Sequence, residues 1–330
     1  MLNPQLYLHT DTLQGGDMPR KPSRDGFGKG LVELGKRDDR VVALCADLAE
    51  STRMLEFKTI FPDRYVELGV AEQNLAAVAS GMAAAGKIPF IASYASFSPG
   101  RNNEQIRTTI ALNHMPVKII GSHAGLSVGP DGATHQALED VGLMRMLPHM
   151  TVVQPCDAEQ ARLATEALLD VDGPAYVRLS RAAFPVFTTA ETPFEIGKAQ
   201  EMYVTENPQA GIIATGALVH TALLAAHSLR AEGIEVSVMN IHTIKPLDIP
   251  AVVALAKRAG ALITCEEHQV AGGLGSLIAE TVAAHHPVPM EYIGVHDQFG
   301  QSGEPDELMK HYGLDVSDIV RAVKKVIERK

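Results

Sequence analysis

The sequence contains few cysteines and no long apolar segment. Its three cysteines, Cys45, Cys156 and Cys265, are widely separated, which argues against a zinc site and a disulfide framework and favours a reducing compartment. Residues 1–20 lack the apolar core that a signal peptide needs. No apolar run approaches the roughly 18 residues of a membrane-spanning helix. We therefore expect a cytoplasmic protein without a membrane partner.

The chain also lacks an excess of basic residues. Its net charge of −10 gives no positive surface of the type that binds nucleic acid, so we expect no nucleic-acid partner. Anionic small substrates remain compatible with this charge, because local arginines can override the overall sign. The length of 330 residues favours about two domains, and the composition, 46% hydrophobic and 21% charged, is typical of globular proteins.

What the sequence does contain is a regular alternation of strands and helices. The alternation predicts parallel βαβ units, that is, an α/β fold with two doubly wound domains. A proline-rich stretch at 182–209 interrupts it. The predicted segments are an irregular amino-terminal stretch (1–22), a first domain (23–185), a linker (186–209) and a second domain (210–330).

Several helix boundaries can be predicted from local signals. Ser23 is expected to cap a helix that ends near Lys36. Further helices are expected within 51–61, 104–114 and 136–147. The sequence GGLG, near residue 273, lacks the full spacing of a dinucleotide fingerprint, and we interpret it as a packing turn before a helix.

The stretch from Arg64 to Arg101 is the first candidate for function. It predicts a short strand, a turn that contains Glu72, an Ala-rich helix, and a buried strand that ends near Tyr94 and Phe97. Ligands of open α/β sheets bind at the carboxyl ends of the strands, where the two aromatic residues are expected. Taken alone, Glu72 is better explained as a carboxylate that complements the helix dipole.

A loop rich in glycine and histidine, residues 123–135, is the second candidate. His123 and His135 flank an Asp131-Gly132 turn after a buried strand, and histidine can transfer protons near neutral pH. The loop fits equally well a surface position in which the histidines only cap helices. A metal site here is disfavoured because the spacing matches no zinc signature. A Ser-His-Asp hydrolase is disfavoured because the sequence has no G-x-S-x-G elbow.

Three arginines, Arg24, Arg101 and Arg181, flank the ends of predicted elements in the first domain. The guanidinium group is the side chain best shaped to bind phosphate. For any single arginine, a solvated surface charge is the more common alternative.

Four segments of the chain resemble the transketolase family of thiamine diphosphate enzymes: RYVELGVAEQNLAAVASGMA, THQALEDVGLMRMLP, AYVRLSR and VHDQFGQSGEPDELMKHYGL. The resemblance starts at Arg24 and covers the second half of the family pattern, the pyrimidine-binding domain followed by the carboxy-terminal domain. The other half of the family carries a Gly-Asp-Gly motif and a later Asn that hold magnesium, and no Gly-Asp-Gly occurs here. The chain therefore resembles the carboxy-terminal subunit of a split, two-chain transketolase.

This resemblance implies cofactor contacts for four residues. Glu72 matches the glutamate that hydrogen-bonds the aminopyrimidine ring of thiamine diphosphate and so promotes loss of the thiazolium proton. Phe97 and Tyr94 match aromatic residues that stack on that ring. Asp47 is expected to lie close to the cofactor, which itself carries out the carbanion chemistry.

The resemblance also implies contacts with a sugar phosphate. His123 and His135 match histidines that contact ketose oxygens and assist proton transfer. Asp131 matches an aspartate that binds a hydroxyl near the reacting carbon. Phosphate-binding positions at the mouth of the substrate channel are matched by Arg24, Ser51 and Arg181. Family members vary around Arg101, where this chain reads SPGRNNEQIR, and no definite role follows for Arg101 or for Asn74.

The implied reaction transfers a two-carbon ketol unit from a ketose phosphate to an aldose or its phosphate. It requires thiamine diphosphate and Mg²⁺. The resemblance assigns the metal and pyrophosphate ligands to a partner, the amino-terminal transketolase subunit, and no metal ligand to this chain. The family pattern implies self-association and two copies of each chain.

Other functions stay open at this point. A deoxyxylulose-phosphate synthase shares the architecture, but its members generally lack the histidine that matches His123. The β subunit of a 2-oxoacid dehydrogenase also pairs such domains, but it fits THQALED poorly. A non-catalytic scaffold subunit would keep the same fold. A free-standing nucleotide-binding protein would rest only on the α/β pattern and GGLG.

Overall fold

Strands and helices alternate along most of the chain in the computed structural model, which describes residues 1–14 and 18–330. The strands, in chain order, are β1 (Arg20–Lys21), β2 (Val41–Cys45), β3 (Tyr65–Glu67), β4 (Ile88–Tyr94), β5 (Lys118–Ser122), β6 (Thr151–Val153), β7 (Ala175–Arg178), β8 (Phe184–Pro185), β9 (Gln200–Tyr203), β10 (Ala210–Ala214), β11 (Val236–Asn240), β12 (Thr243–Lys245), β13 (Leu262–Gln269) and β14 (Met290–Val295). The helices are α1 (Ser23–Arg37), α2 (Leu55–Ile60), α3 (Glu72–Ala84), α4 (Asn103–Gln105), α5 (Asp140–Arg145), α6 (Ala158–Ala167), α7 (Leu218–Ala231), α8 (Ile249–Ala259), α9 (Leu274–His285), α10 (Pro305–His311) and α11 (Val316–Glu328).

The larger sheet has seven strands in the order β12-β6-β7-β5-β4-β2-β3. Its six strands from the first half of the chain run parallel. Alternate residues of these buried strands pack on opposite faces of the sheet. One face packs against α1 and α6, and the other packs against α3 and the π-helix Ile106–Ala111. This arrangement confirms the predicted doubly wound α/β fold.

The smaller sheet has five strands in the order β14-β13-β10-β11-β9. Four are parallel, and β9 pairs antiparallel with β11 at the edge. Strand β9 falls within 186–209, the range predicted as a linker. Part of that range therefore belongs to the second sheet, with Met202 and Tyr203 buried in its core.

Strand β12 connects the two halves of the chain. It follows the second-domain strand β11 directly but pairs antiparallel with β6, at the edge of the larger sheet. Next to this pairing, the N–H group of Gln154 donates to the carbonyl oxygen of His242 at 2.8 Å. The two domains thus share a hydrogen-bonded sheet edge, which the local sequence pattern did not predict.

The predicted cap of the first helix is wrong. Pro22 occupies the N-cap position of α1, and Ser23 is the first helical residue. The Ser23 hydroxyl lies 3.0 Å from the hydroxyl of Ser180 and also accepts a hydrogen bond from the Ser180 N–H group. Because its side chain is hydrogen-bonded to Ser180, just beyond the end of β7, it does not cap its own helix.

Three other helices differ from their predicted lengths. The helix expected within 51–61 is reduced to α2, and the helix expected within 136–147 is reduced to α5. Ala137 instead forms an isolated bridge with Ala124, so a tertiary contact overrides the local helix propensity. The helix expected within 104–114 consists of α4 followed by the π-helix.

The amino-terminal residues pack against the second domain. Leu6 is buried in the core of that domain. The N–H groups of Asn3 and His9 donate to the carbonyl oxygens of Met202 and Phe187 at 2.9 and 2.8 Å. None of the helices within 1–14 and 18–330 has the length and apolar character to cross a membrane.

Candidate functional site

The carboxyl ends of the parallel strands bring the candidate residues to one edge of the larger sheet. Tyr94, the last residue of β4, is paired in register with Ser122, the last residue of β5. His123 follows immediately, and Arg181 follows the end of the neighbouring strand β7. This edge is where ligands bind in open α/β sheets.

Four aromatic and imidazole rings form a cluster at this edge. The rings of Tyr94 and His123 stack, with centroids 3.9 Å apart. The ring of His135 packs edge-on against Phe97, with centroids 5.2 Å apart, and against Tyr94 at 6.0 Å. The structure therefore brings together the two predicted aromatics and both predicted histidines.

The hydrogen bonds of His123 fix its tautomer. Nη1 of Arg24 lies 2.9 Å from Nε2 of His123. A guanidinium can only donate, so Nε2 accepts, and Nδ1 carries the proton toward the Ser122 hydroxyl at 2.9 Å. Burial, followed by the charges of Arg24 and Arg181, lowers the pKa of His123 to about 3. His123 is therefore neutral at physiological pH.

Glu72 is the first residue of α3, and its side chain is buried. Its Oε1 accepts a hydrogen bond from Nη1 of Arg101 at 2.8 Å. The same guanidinium lies over the ring of Phe97, 4.0 Å from the centroid. Glu72 and Arg101 line an open cleft of about 640 Å³ together with Val70, Ala71, Gln73 and Asn74.

Arginine side chains make this edge electropositive. Nη1 of Arg24 donates to the carbonyl oxygen of Ser51 at 2.8 Å, and its buried Nε has no protein partner among the described residues. Nη1 of Arg181 donates to the carbonyl oxygen of Val128 at 2.8 Å. Both charges act on the pKa of His123. The predicted phosphate-binding arginines therefore lie beside the histidine cluster.

Two predicted residues are less closely joined to the cluster. Asp47 is exposed at the end of β2, with a positive φ of 59°, and only its N–H group makes a described hydrogen bond. Asp131 lies on the exposed turn of the 123–135 loop. No described side-chain hydrogen bond joins either carboxylate to Glu72 or to the rings.

Sequence reasoning missed Glu67, at the carboxyl end of β3. Its carboxylate accepts hydrogen bonds from the N–H groups of Asp47, Leu68 and Gly69, at 2.7 to 3.1 Å, and from the Tyr65 hydroxyl at 2.7 Å. Although burial opposes ionisation, these bonds lower the pKa of Glu67. Glu67 thereby fixes the turn that leads to Glu72. The sequence offered one signal for Glu67: its position at the carboxyl end of a predicted strand, where functional residues of α/β sheets lie.

Arg53 and Glu267 were also missed. Arg53 forms an ion pair with Asp25 at 2.7 Å and adds to the positive charge that acts on His123. Glu267, in the second domain, contacts the loop that carries both histidines. No local motif predicts that contact, because the two segments are 140 residues apart.

The cleft at Glu72 fits a flat ring with hydrogen-bonding groups at its edge. The planar guanidinium of Arg101 already contacts the Glu72 carboxylate and the Phe97 ring at once, so one flat group can use both. The residues do not fit a metal site. Within 1–14 and 18–330, no group of three or more His, Cys, Asp and Glu side chains could hold a metal ion.

Fold and site together define a two-domain α/β protein with histidine, glutamate and arginine side chains gathered at the carboxyl edge of its larger sheet. Family models for the pyrimidine-binding domain of transketolase and for the transketolase C-terminal domain match residues 21–186 and 197–319. The chain belongs to the transketolase family, which confirms the resemblance seen in its motifs.

Two relatives of similar length are named as transketolase subunits. The 6-deoxy-6-sulfo-D-fructose transketolase subunit of Clostridium sp. (strain MSTE9) is 41% identical over 93% of this chain and 95% of its own length. An apulose-4-phosphate transketolase subunit of Phocaeicola vulgatus is 36% identical over 93% of this chain and 97% of its own length. The chain therefore corresponds to a transketolase-type carboxy-terminal subunit.

A solved structure supports the same assignment. A split-gene transketolase described as an inactive beta4 tetramer is 41% identical, with a TM-score of 0.87, over 93% of this chain and 98% of that chain. The transketolase of Mus musculus is 33% identical over 94% of this chain, but this chain covers only 51% of that protein.

Proposed function

We propose that this chain is the carboxy-terminal subunit of a transketolase that transfers a two-carbon ketol unit from an anionic ketose to an aldose or aldose phosphate. The observation that carries this proposal is that Arg101 joins the buried Glu72 carboxylate to the face of Phe97. Phe97 stacks on Tyr94, which in turn stacks on a neutral His123 held between Ser122 and Arg24. Family membership supports the same reaction.

Thiamine diphosphate, when bound, supplies the electron sink on which the carbon–carbon bond is broken and re-formed. Glu72, Phe97 and Tyr94 would hold its pyrimidine end. Glu72 would hydrogen-bond the edge of that ring, because its carboxylate is buried at the first position of α3 and already accepts a hydrogen bond from the flat guanidinium of Arg101. Asp47 is proposed to lie near the same end of the cofactor.

The histidine cluster would bind the reacting part of the sugar. Because His123 is neutral, it can accept a hydrogen bond from a hydroxyl once Arg24 turns toward the substrate. His135, which is only partly buried, would assist proton transfer to and from the sugar. Asp131 lies at the open side of the loop, where we propose that it binds a further hydroxyl.

Arg24, Ser51 and Arg181 are proposed to bind the anionic end of the sugar. Two guanidinium groups next to the histidine cluster provide the fork geometry that phosphate and sulfonate groups share. The names of two relatives give a sulfonated sugar and a sugar phosphate, so both end groups are candidates for this chain.

We further propose that the site is completed by an amino-terminal subunit that carries the Mg²⁺ and pyrophosphate ligands. Two observations support a second chain: the open cleft at Glu72, and relatives of similar length that are named as transketolase subunits. Two copies of each chain in the cytoplasm remain our expectation.

Reconstitution tests this proposal. The chain is purified alone and with the partner that carries Gly-Asp-Gly and a later Asn, and ketol transfer is measured with thiamine diphosphate and Mg²⁺. Ketose phosphates and sulfonated ketoses serve as donors, and pyruvate decarboxylation serves as a control for other thiamine enzymes. We expect ketol transfer by the complex only. Robust activity of this chain alone would refute the requirement for a partner.

A further inference from the structure

A buried carboxylate of the second domain contacts the histidine loop of the first. Glu267 lies on β13 and is almost fully buried. Its Oε1 accepts a hydrogen bond from the N–H group of Ser127 at 2.5 Å. Burial raises the pKa of Glu267, and the charge of Arg178 and the hydrogen bond from the Ser127 N–H group oppose that effect. A buried carboxylate is tolerated only when such bonds satisfy it.

Glu266, the residue before Glu267, has a different role. Glu266 accepts hydrogen bonds from the N–H groups of Leu274 and Gly275, both at 2.7 Å, at the start of α9. Successive residues of a strand point in opposite directions. Glu266 therefore serves its own domain, whereas Glu267 reaches across the domain boundary.

The loop is shaped to receive Glu267. Gly125 has a φ of +86°, and a Cβ atom at this position would overlap with Oε1 of Glu267. A side chain at residue 125 would therefore collide with the carboxylate. The close approach depends on glycine for both its conformation and its lack of a side chain.

The turn held by Glu267 also holds a proposed substrate-binding arginine. Ser127 and Val128 belong to one 3₁₀ turn, Leu126–Val128. The carbonyl oxygen of Leu126, the first residue of this turn, accepts a hydrogen bond from Nε2 of Gln136 at 3.1 Å. The Val128 carbonyl oxygen accepts a hydrogen bond from Arg181 at 2.8 Å. Movement at Ser127 would therefore displace the acceptor that orients Arg181.

The entrance of the loop is anchored separately. The N–H group of Ala124 donates to the carbonyl oxygen of Leu179 at 3.1 Å. Nη2 of Arg178 donates to the main-chain oxygens of Ala137 and Glu267 at 3.0 and 2.9 Å. These contacts do not involve the Glu267 side chain, so its removal should loosen the turn without unfolding the loop entrance.

We propose that Glu267 is a positioning residue by which the second domain sets the turn Leu126–Val128, and through it Arg181, for the anionic group of the substrate. This inference rests on the proposed function of Arg181 in substrate binding. Loss of the bond would leave a buried N–H group unsatisfied, and the turn would relieve that cost by opening toward water.

Two conservative variants separate the length of the side chain from its charge. Glu267→Asp keeps the charge but shortens the side chain, so it cannot reach the Ser127 N–H group. Glu267→Gln loses the charge but keeps an acceptor oxygen at the same length. Glu266→Asp is the matched control, because the same change in the adjacent buried carboxylate affects α9 instead of the turn.

The reconstituted complex is assayed with a ketose phosphate and with the unphosphorylated ketose, and amide hydrogen exchange is followed in the full-length chain. For Glu267→Asp we expect about a tenfold higher KM for the phosphate, a much smaller change for the unphosphorylated donor, and about tenfold faster exchange within 125–130. Glu267→Gln should stay within about threefold of wild type. Glu266→Asp should increase exchange only near 274–278.

Wild-type KM and exchange in Glu267→Asp would overturn the inference. A defect in Glu267→Gln but not in Glu267→Asp would also overturn it, because charge and not reach would then matter. Faster exchange with an unchanged KM would refute the link to Arg181. Absence of ketol transfer in the wild-type complex would contradict the proposed function instead, and the exchange data would still test the contact between Glu267 and the turn.

Discussion

Arg101 and Glu72 form an ion pair that joins a half-exposed guanidinium to a buried carboxylate. Nη1 of Arg101 lies 2.8 Å from Oε1 of Glu72, and the two side chains are 49% and 5% exposed. The guanidinium also covers the face of Phe97. A flat cation thus occupies the two groups that we assign to the pyrimidine ring. The cofactor and Arg101 would compete for them.

Replacing Arg101 should therefore strengthen cofactor binding. For Arg101→Ala in the reconstituted complex, we expect a Kd for thiamine diphosphate about three- to tenfold lower than wild type, corresponding to about 0.7–1.4 kcal/mol. Titration calorimetry measures this change. Arg107→Ala, on the exposed surface of the π-helix, serves as the control. Weaker binding would instead identify Arg101 as a cofactor ligand.

Replacing Glu72 should stop turnover without preventing assembly. In Glu72→Gln the carboxyl proton donor and acceptor is replaced by an amide of the same size, and we expect a loss of kcat of about a hundredfold or more. Light scattering of the complex should be unchanged. Glu104→Gln, an exposed glutamate in α4, is the control. Turnover at the wild-type rate would favour a non-catalytic scaffold.

Replacing Gly125 by alanine should lower the free energy of unfolding more than replacing Gly233 does. Both glycines have a positive φ, +86° and +79°, so an alanine at either position is strained. Only Gly125 faces a carboxylate, whereas Gly233 has open space around its Cβ position. Denaturant unfolding should show that Gly125→Ala loses about 1–3 kcal/mol more than Gly233→Ala. Equal losses would mean that the Glu267 contact adjusts without cost.

Acid should destabilise the chain partly through His242. Its burial lowers the pKa to about 3, whereas the unfolded residue titrates near the ordinary value of 6.5. Between these values the unfolded state binds more protons, so stability is present above pH 6.5 and is lost as pH falls toward 3. His242→Gln should reduce the slope of unfolding free energy against pH by up to about 1.4 kcal/mol per pH unit.

Comparing His242→Gln with wild type separates the contribution of His242 to the pH dependence of stability from the contributions of other buried groups. Glu266, for example, contributes with the opposite sign, because burial raises its pKa to about 7 and its cost grows as pH rises toward that value. His285→Gln, at an exposed position on α9, is the matched control and should leave the slope unchanged. An identical slope in His242→Gln would show that folding does not lower the pKa of this histidine.

The alternation of strands and helices was sufficient to predict the fold class, because each element carries its own hydrophobic pattern. The same pattern placed Tyr94 and His123 at the ends of two successive strands, and the structure pairs these strands and brings the two rings to 3.9 Å. The pairing of β12 with β6 could not be predicted in this way. It is three residues long and joins segments almost a hundred residues apart.

Contacts made by single side chains could not be predicted from the sequence either. The bond between Glu267 and Ser127 depends on how the two domains pack, and nothing near either residue encodes it. Ser23 has a typical capping residue type, yet its hydroxyl pairs with Ser180. Such choices are decided by which polar partner is within reach after packing, and not by propensity.

The open cleft at Glu72 has a thermodynamic consequence if a second chain closes it. A ligand bound between two subunits strengthens their association, and association in turn strengthens ligand binding by the same factor. Dilution of either chain would then release the cofactor, and excess cofactor would offset dilution by mass action. Catalytic output would then depend on the amounts of both chains, and a shortage of either one would lower it.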